Sequence, residues 1–321
     1  MRVLIVGGCG FIGSYLARFI MERGDEVAVQ DVKTDNAPFR WVLRPDEQAR
    51  ATVLEGDAAE PTYIFRIIKE HRIDRLVHLA VYASDVGEGE PATSVRVNVL
   101  GTITAFEAAR LGLVDRVVWA SSTQVFGRHT PYAAEFGHKP ITDTSPHRPW
   151  TVYSATKSLC EYLCGHYHRN WGVDLRGLRP IGTFGPGRRG GLVGHITRMI
   201  EHAAIGESYT CPNGQQALPL VYVEDSSRGF EAGLYYDGTA LSGKTHTIGG
   251  YTTTHGEMAE LVKRVVPEAR ITVLPGDGGE PLTLPQDNTP FREATGFQLR
   301  YSLEDGVRKT VEFFRHRTAS G

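Results

Sequence analysis

No stretch of the 321-residue chain approaches the ~18 consecutive apolar residues of a membrane span, which excludes a helical membrane protein. Nor is there an excess of charge. Against 37 acidic residues stand 35 Lys and Arg, so no basic surface steers the chain toward nucleic acid or an anionic membrane. Cysteine is scarce: Cys9, Cys160, Cys164 and Cys211 form no C-x-x-C pair, and no histidine completes a zinc-type spacing, so neither a disulfide framework nor a metal is expected. His166, His168, His195 and His202 read as surface or packing residues. The apolar segment after Met1 and Arg2 is too short for a signal peptide, which predicts a reduced, cytoplasmic protein. What the chain does have is glycine, 36 residues against a usual ~7%, as where backbone must come close to a ligand.

Over the first 180 residues short apolar runs alternate with helical patterns. Strands are predicted at Val3–Val6, Val27–Val29, Thr52–Leu54, Arg75–Leu79, Arg116–Ala120 and from Val173, with helices over Phe11–Arg23, Pro61–His71, Pro91–Leu111 and Tyr153–Trp171. Such alternation implies an α/β fold, a doubly wound parallel sheet of Rossmann type with helices on both faces. Pro180 to Gly194 is crowded with glycine and reads as a long loop beside a ligand. Strands at Leu220–Val223 and Thr245–Ile248 and helices at Gly256–Val266 and Leu303–Arg317 follow. The expected division is a nucleotide-binding domain over 1–179, to which 220–250 return, and a smaller, partly interleaved C-terminal substrate-binding region over 180–219 and 251–321.

Two constellations carry chemistry. Gly7-Gly8-Cys9-Gly10-Phe11-Ile12-Gly13 lies between the first strand and the first helix. Glycines at 7, 10 and 13 permit a tight turn, a close approach of backbone to pyrophosphate and close packing of helix on strand, while the helix N-terminus offers N–H groups to the phosphates. Asp31, ending the second strand, can accept hydrogen bonds from both adenosine ribose hydroxyls and repels a 2′-phosphate, which favours NAD over NADP. The second constellation is Ser121-Ser122-Thr123 after the fifth strand with Tyr153 and Lys157 four residues apart on one helical face. A nearby ammonium is expected to lower the phenol pKa, so that Tyr153 exchanges a proton with an alcohol or ketone as hydride moves to or from nicotinamide.

Ordered matches now accumulate: the glycine motif, Gly56-Asp57, Val77-His78-Leu79-Ala80, Val97-Asn98-Val99-Leu100-Gly101-Thr102, Ser121 to Gly127, Tyr153-x-x-x-Lys157, Gly296-Phe297 and Ser302 to Gly306. With these the chain resembles the extended short-chain dehydrogenase/reductases, the NAD-dependent epimerase/dehydratase group, over nearly its whole length. The resemblance implies an NAD site that includes Phe11, Ile12, Asp57 at the adenine, Ala58, Leu79, Ala80 and Pro180. It also implies Asn98 supporting a proton relay, Lys157 holding the nicotinamide ribose, and the catalytic hydroxyl on Ser122, five residues before Gly127. A homodimer through the helices over 91–111 and 153–171 is implied as well.

Departures from the family bear on the substrate. Where its dehydratases carry an Asp-Glu pair, this chain has Thr123 and Gln124, which argues against water loss. Where nucleotide-sugar members carry an asparagine after the sixth strand, it has Gly182, and Leu218 stands where many carry the arginine that clamps a diphosphate. The latter stretch is more similar to the short-chain L-threonine dehydrogenases. Arg188, beside Arg189, is a candidate for an anionic substrate group, and Tyr82 and Ser84 lie at the carboxyl edge of the sheet, where ligands bind. The expectation is an NAD-dependent dehydrogenase of a small polyol, sugar, sugar acid or hydroxy acid. The alternatives are an NAD-retaining nucleotide-sugar epimerase, with Arg188 or Arg292 replacing the missing clamp, and a non-catalytic NAD sensor, against which Ser122, Tyr153 and Lys157 argue.

Overall fold

In a computed structural model, which describes residues 1–83, 87–278 and 284–319, a seven-stranded sheet forms the centre of the molecule. Its strands are β1 (Arg2–Val6), β2 (Glu26–Asp31), β3 (Thr52–Glu55), β4 (Arg75–His78), β5 (Arg116–Ala120), β6 (Leu175–Arg179) and β10 (Lys244–Thr247), in spatial order β10-β6-β5-β4-β1-β2-β3. Every pairing is parallel. The order reverses between β1 and β4, so the carboxyl ends of these two strands open the crevice where such sheets bind ligands.

Alternate residues of β1 serve two cores. Val3 and Ile5 pack with Leu16, Phe19 and Ile20 of α1 (Phe11–Glu22) and Phe230 of α9 (Val223–Tyr235). Leu4 and Val6 face Ile64 and Ile67 of α4 (Pro61–Glu70), Phe106 of α5 (Pro91–Arg110) and Cys160 of α7 (Val152–Trp171). Helix α5 comprises Pro91–Val95, a π turn over Arg96–Leu100 and Gly101–Arg110. All four cysteines are free and buried. No helix among the described residues is long and apolar enough to cross a membrane.

The glycine-crowded segment departs from the expected long loop. It forms β7 (Gly182–Phe184), a short loop over 185–190, and α8 (Gly191–Ala204). Strand β7 joins β9 (Ala217–Tyr222) and β11 (Tyr251–Thr254) in a three-stranded sheet, and β8 (Ser208–Cys211) pairs with β12 (Arg270–Val273). Thus β9 leaves the large sheet, while α9 returns to lie on α1 and β10 completes the edge beside β6. Helices α2 (Ala37–Val42) and α3 (Pro45–Arg50) occupy the stretch between β2 and β3, where no element was expected; α6 (His129–Phe136), α10 (His255–Val265), α11 (Thr289–Thr295) and α12 (Leu303–Ala319) complete the chain.

Candidate active site

A cleft of about 1090 Å³ runs along the carboxyl ends of β1, β2, β4 and β5 and continues between α8 and β9. Gly7, Gly10, Phe11, Ile12, Gly13, Asp31, Asp57, Ala58, Leu79 and Ala80 line one half. At Gly7 the backbone has a φ of +79°, and a Cβ there would lie 2.6 Å from the Ala80 amide nitrogen. A Cβ on Gly13 would come equally close, 2.6 Å, to the Gly7 carbonyl oxygen. Gly10 caps α1 without a side chain, leaving the first-turn N–H groups to the cleft. This cradle, with a carboxylate at its lip, fits a dinucleotide. Burial pushes the Asp31 carboxyl up, opposed by backbone N–H groups of Lys33, Val32 and Cys9. Asp57 accepts from the Ala59 amide at 2.9 Å and pairs with Arg96 on α5 at 2.6 Å.

Ser122, Tyr153 and Lys157 line the cleft together. Thr151 caps α7 and starts the helix that carries Tyr153 and Lys157 into the cleft. Ser122 hydrogen-bonds the Tyr153 phenol and also accepts from the Gln124 amide at 3.2 Å. Ser121 is engaged elsewhere, donating to Glu161 at 2.5 Å. Lys157 is buried and donates to the Ala120 carbonyl at 2.7 Å. The electrostatics correct the expectation for Tyr153. Burial raises its pKa, and the groups that favour the phenolate are the Ser122 hydrogen bond and the charge of Arg188, not Lys157. The same burial lowers the Lys157 ammonium.

Asn98, fully buried within the π turn, staples the strand exit: its Oδ1 accepts from the Tyr82 amide at 2.8 Å and its Nδ2 donates to the Tyr82 carbonyl at 3.0 Å. Tyr82, Thr123, Pro180, Gly182 and Arg188 all line the cleft; Ser84 lies outside the described residues. Arg292 does not line it and sits in a separate depression with Asn288, Gln298 and Leu299, which removes it as a replacement clamp. His195, read from the sequence as an ordinary histidine, lines the cleft instead. Its position on α8 was hidden because the segment before it reads as loop.

Beneath the site runs a buried charge network that the sequence reading missed. Arg179 of β6, 2% exposed, meets Glu161 at 2.5 Å and Asp143 at 3.4 Å. Asp143 also bonds His246 of β10 at 2.6 Å, and His147 bonds Glu161 at 3.2 Å. Although burial opposes it, His147 and Arg179 hold the Glu161 carboxyl down at about 2.

The NAD dependent epimerase/dehydratase family model matches residues 3–249. UDP-glucuronic acid decarboxylase 5 of Arabidopsis thaliana is 28% identical over 99% of this chain and 90% of its own length. UDP-glucose 4-epimerase of Lactobacillus helveticus is 26% identical over 97% of this chain and 96% of its own. Among solved structures, the GalE-like L-threonine dehydrogenase of Cupriavidus necator superposes with a TM-score of 0.82 at 26% identity, over 97% of this chain and 99% of that one. The chain belongs to the NAD dependent epimerase/dehydratase family and is an NAD-dependent enzyme of the extended short-chain dehydrogenase type.

Proposed function

We propose that this family member transfers hydride between NAD and a secondary alcohol or ketone of a small polar, sugar-like or hydroxy-acid substrate, with Tyr153 as acid/base. The observation that carries the reading is the convergence of Ser122 and the charge of Arg188 on the Tyr153 phenol, at the junction of the two halves of the cleft. In this reading the Gly7–Gly13 turn holds the pyrophosphate, Asp31 the adenosine ribose, Asp57 and Ala58 the adenine, and Leu79, Ala80, Pro180 and Lys157 the nicotinamide end. Bound NAD supplies the hydride acceptor. Tyr153 takes the alcohol proton, Ser122 orients the same oxygen, and Asn98 supports the relay by fixing the backbone at Tyr82. Tyr82, Thr123, Gly182 and Arg188 form the substrate side, together with a substrate-binding region over 180–219 and 251–321.

A small substrate is supported at Gly182. A Cβ there would lie 2.5 Å from the Pro219 carbonyl oxygen and 2.9 Å from the Val193 side chain, so this wall has no room for the asparagine of nucleotide-sugar members. The second reading, an epimerase that retains NAD and acts on a nucleotide sugar, is favoured by the names of the sequence relatives. A homodimer is supported by exposed apolar side chains on α5 and α7, among them Val95, Leu100, Leu159 and Tyr162.

The deciding measurement is the cofactor content of freshly purified, heat-denatured protein, by mass spectrometry against an NAD standard. Protein that arrives empty, binds added NAD reversibly and forms NADH with free sugars, sugar acids or hydroxy acids is the expected result. Near-stoichiometric retained NAD, with isomerised sugar nucleotides as products, would overturn it in favour of the epimerase.

A further inference from the structure

Three apolar side chains that folding leaves exposed, Val81, Trp150 and Leu192, line the same cleft. Exposed apolar surface gathered in a concave site marks the place of a ligand. Trp150 is the largest of the three and stands 49% exposed. It lies three residues before Tyr153, just ahead of the Thr151 cap that starts α7.

The indole is held ready. Its backbone amide donates to the Ser154 hydroxyl at 3.0 Å, which ties it to the first turn of α7. The Arg128 guanidinium lies over the ring, 4.4 Å from its centre, and orients its plane. Arg128 follows Gly127, where φ is +89° and a Cβ would collide with the Arg148 carbonyl. The turn that delivers the guanidinium is therefore tightly packed, and little freedom remains for the indole to lose on binding.

We infer that the face of Trp150 opposite Arg128 is a stacking platform for the substrate, and that the substrate is a cyclic sugar lying on it through its C–H face. The electron-rich face of an indole attracts weakly positive C–H groups, and the sugar hydroxyls at the rim stay free for polar partners. Tyr82, Thr123 and Gln124 line the cleft to serve them. An open-chain polyol or hydroxy acid presents no such face until its torsions are frozen, at an entropic cost. A nucleobase also stacks, but in a sugar nucleotide it sits a diphosphate away from the reacting ring, whereas Trp150 is three residues from Tyr153. The inference rests on the small-substrate reading and narrows it to ring-closed sugars, with Trp150 as a specificity residue.

The test is calorimetric titration of the NAD-loaded Tyr153→Phe protein, chosen for its impaired turnover. The probes are D-glucose, D-galactose, their alditols D-glucitol and galactitol, L-threonine and UDP-glucose. Each alditol carries its sugar's carbon skeleton without the ring. The better sugar is expected to bind at least about tenfold more tightly than its own alditol. Adding Trp150→Ala should weaken that sugar about tenfold and leave the alditol unchanged. Trp150→Phe, which keeps a flat ring, should restore most of the loss. NAD affinity unchanged in both variants would show that they are folded. No binding of either sugar, or alditols that bind as tightly, overturns the cyclic-sugar class. Binding of an alditol or L-threonine alone does so while leaving the small-substrate reading intact. Sugar binding that is indifferent to both Trp150 substitutions overturns the platform. UDP-glucose binding with neither sugar bound overturns the small-substrate reading as well.

Discussion

The cofactor half of the cleft is walled by backbone, the substrate half by side chains drawn from segments far apart in the chain. In the first, Gly7, Gly13 and Ala80 approach so closely that one added carbon collides, and the polar groups lining it include backbone amides and the carboxylates of Asp31 and Asp57. Beneath the second, α7, β6, β10 and the segment around Asp143 meet through Arg179, Glu161, His147 and His246. A backbone cradle depends on local spacing and tolerates change elsewhere. A wall pinned by buried charge depends on every partner being present, because removing one strands another in a medium of low dielectric.

The largest expected effect breaks the substrate half at its foundation. Glu161→Gln leaves Arg179 short of a counter-charge and should cost about 3–5 kcal/mol of unfolding free energy, read from denaturant midpoints. It should also flatten the acid dependence of stability. With the folded Glu161 carboxyl at about 2 against an ordinary 4.5, its stabilisation is present above pH 4.5 and lost as pH falls through about 2. A variant as acid-sensitive as the parent would show that the network does not carry this term.

Tyr153→Phe tests the junction. Turnover should fall about a hundredfold or more with NAD affinity nearly unchanged, since the phenol oxygen acts on the substrate. Undiminished turnover would remove the tyrosine from the mechanism. Arg188→Ala should raise the Michaelis constant for an anionic substrate about tenfold. Because Arg188 favours the phenolate, its loss should also move the acid limb of the oxidation rate to higher pH. An unshifted profile would place that charge outside the reaction. The smallest effect belongs to the cofactor half: Asp31→Ala should weaken NAD severalfold and narrow the preference over NADP, and an unmoved ratio would refute the ribose assignment.

The same contrast explains what the sequence made legible. The strand-turn-helix at Gly7–Gly13, the parallel sheet implied by alternating β and α segments, and the shared helical face of Tyr153 and Lys157 all follow from local spacing, and the structure contains each of them. Gly182 to Gly194 misled because glycine reads as loop, while tertiary packing makes it a strand wedged against Pro219 and the start of a helix. Arg179 in a central strand was invisible as a core residue, since its partners Asp143 and Glu161 meet it only in the folded chain. The raised Tyr153 pKa had the same origin. Burial, which spacing cannot report, raises it, opposed by Ser122 and Arg188 rather than by the ammonium four residues away.

The π turn at Arg96–Leu100 has a consequence for the rotational phase of α5. Before it and at its start, Thr93, Arg96 and Val97 face the cleft; after it, Thr102, Ala105, Phe106 and Ala109 face the core. Because each residue of an α-helix turns the chain by roughly 100°, deleting one residue here would restore an ordinary turn yet rotate one face against the other by about that angle. The helix would keep its backbone bonds and lose its alignment, so this position should tolerate substitution of its exposed Val95 and Leu100 neighbours far better than any change in length.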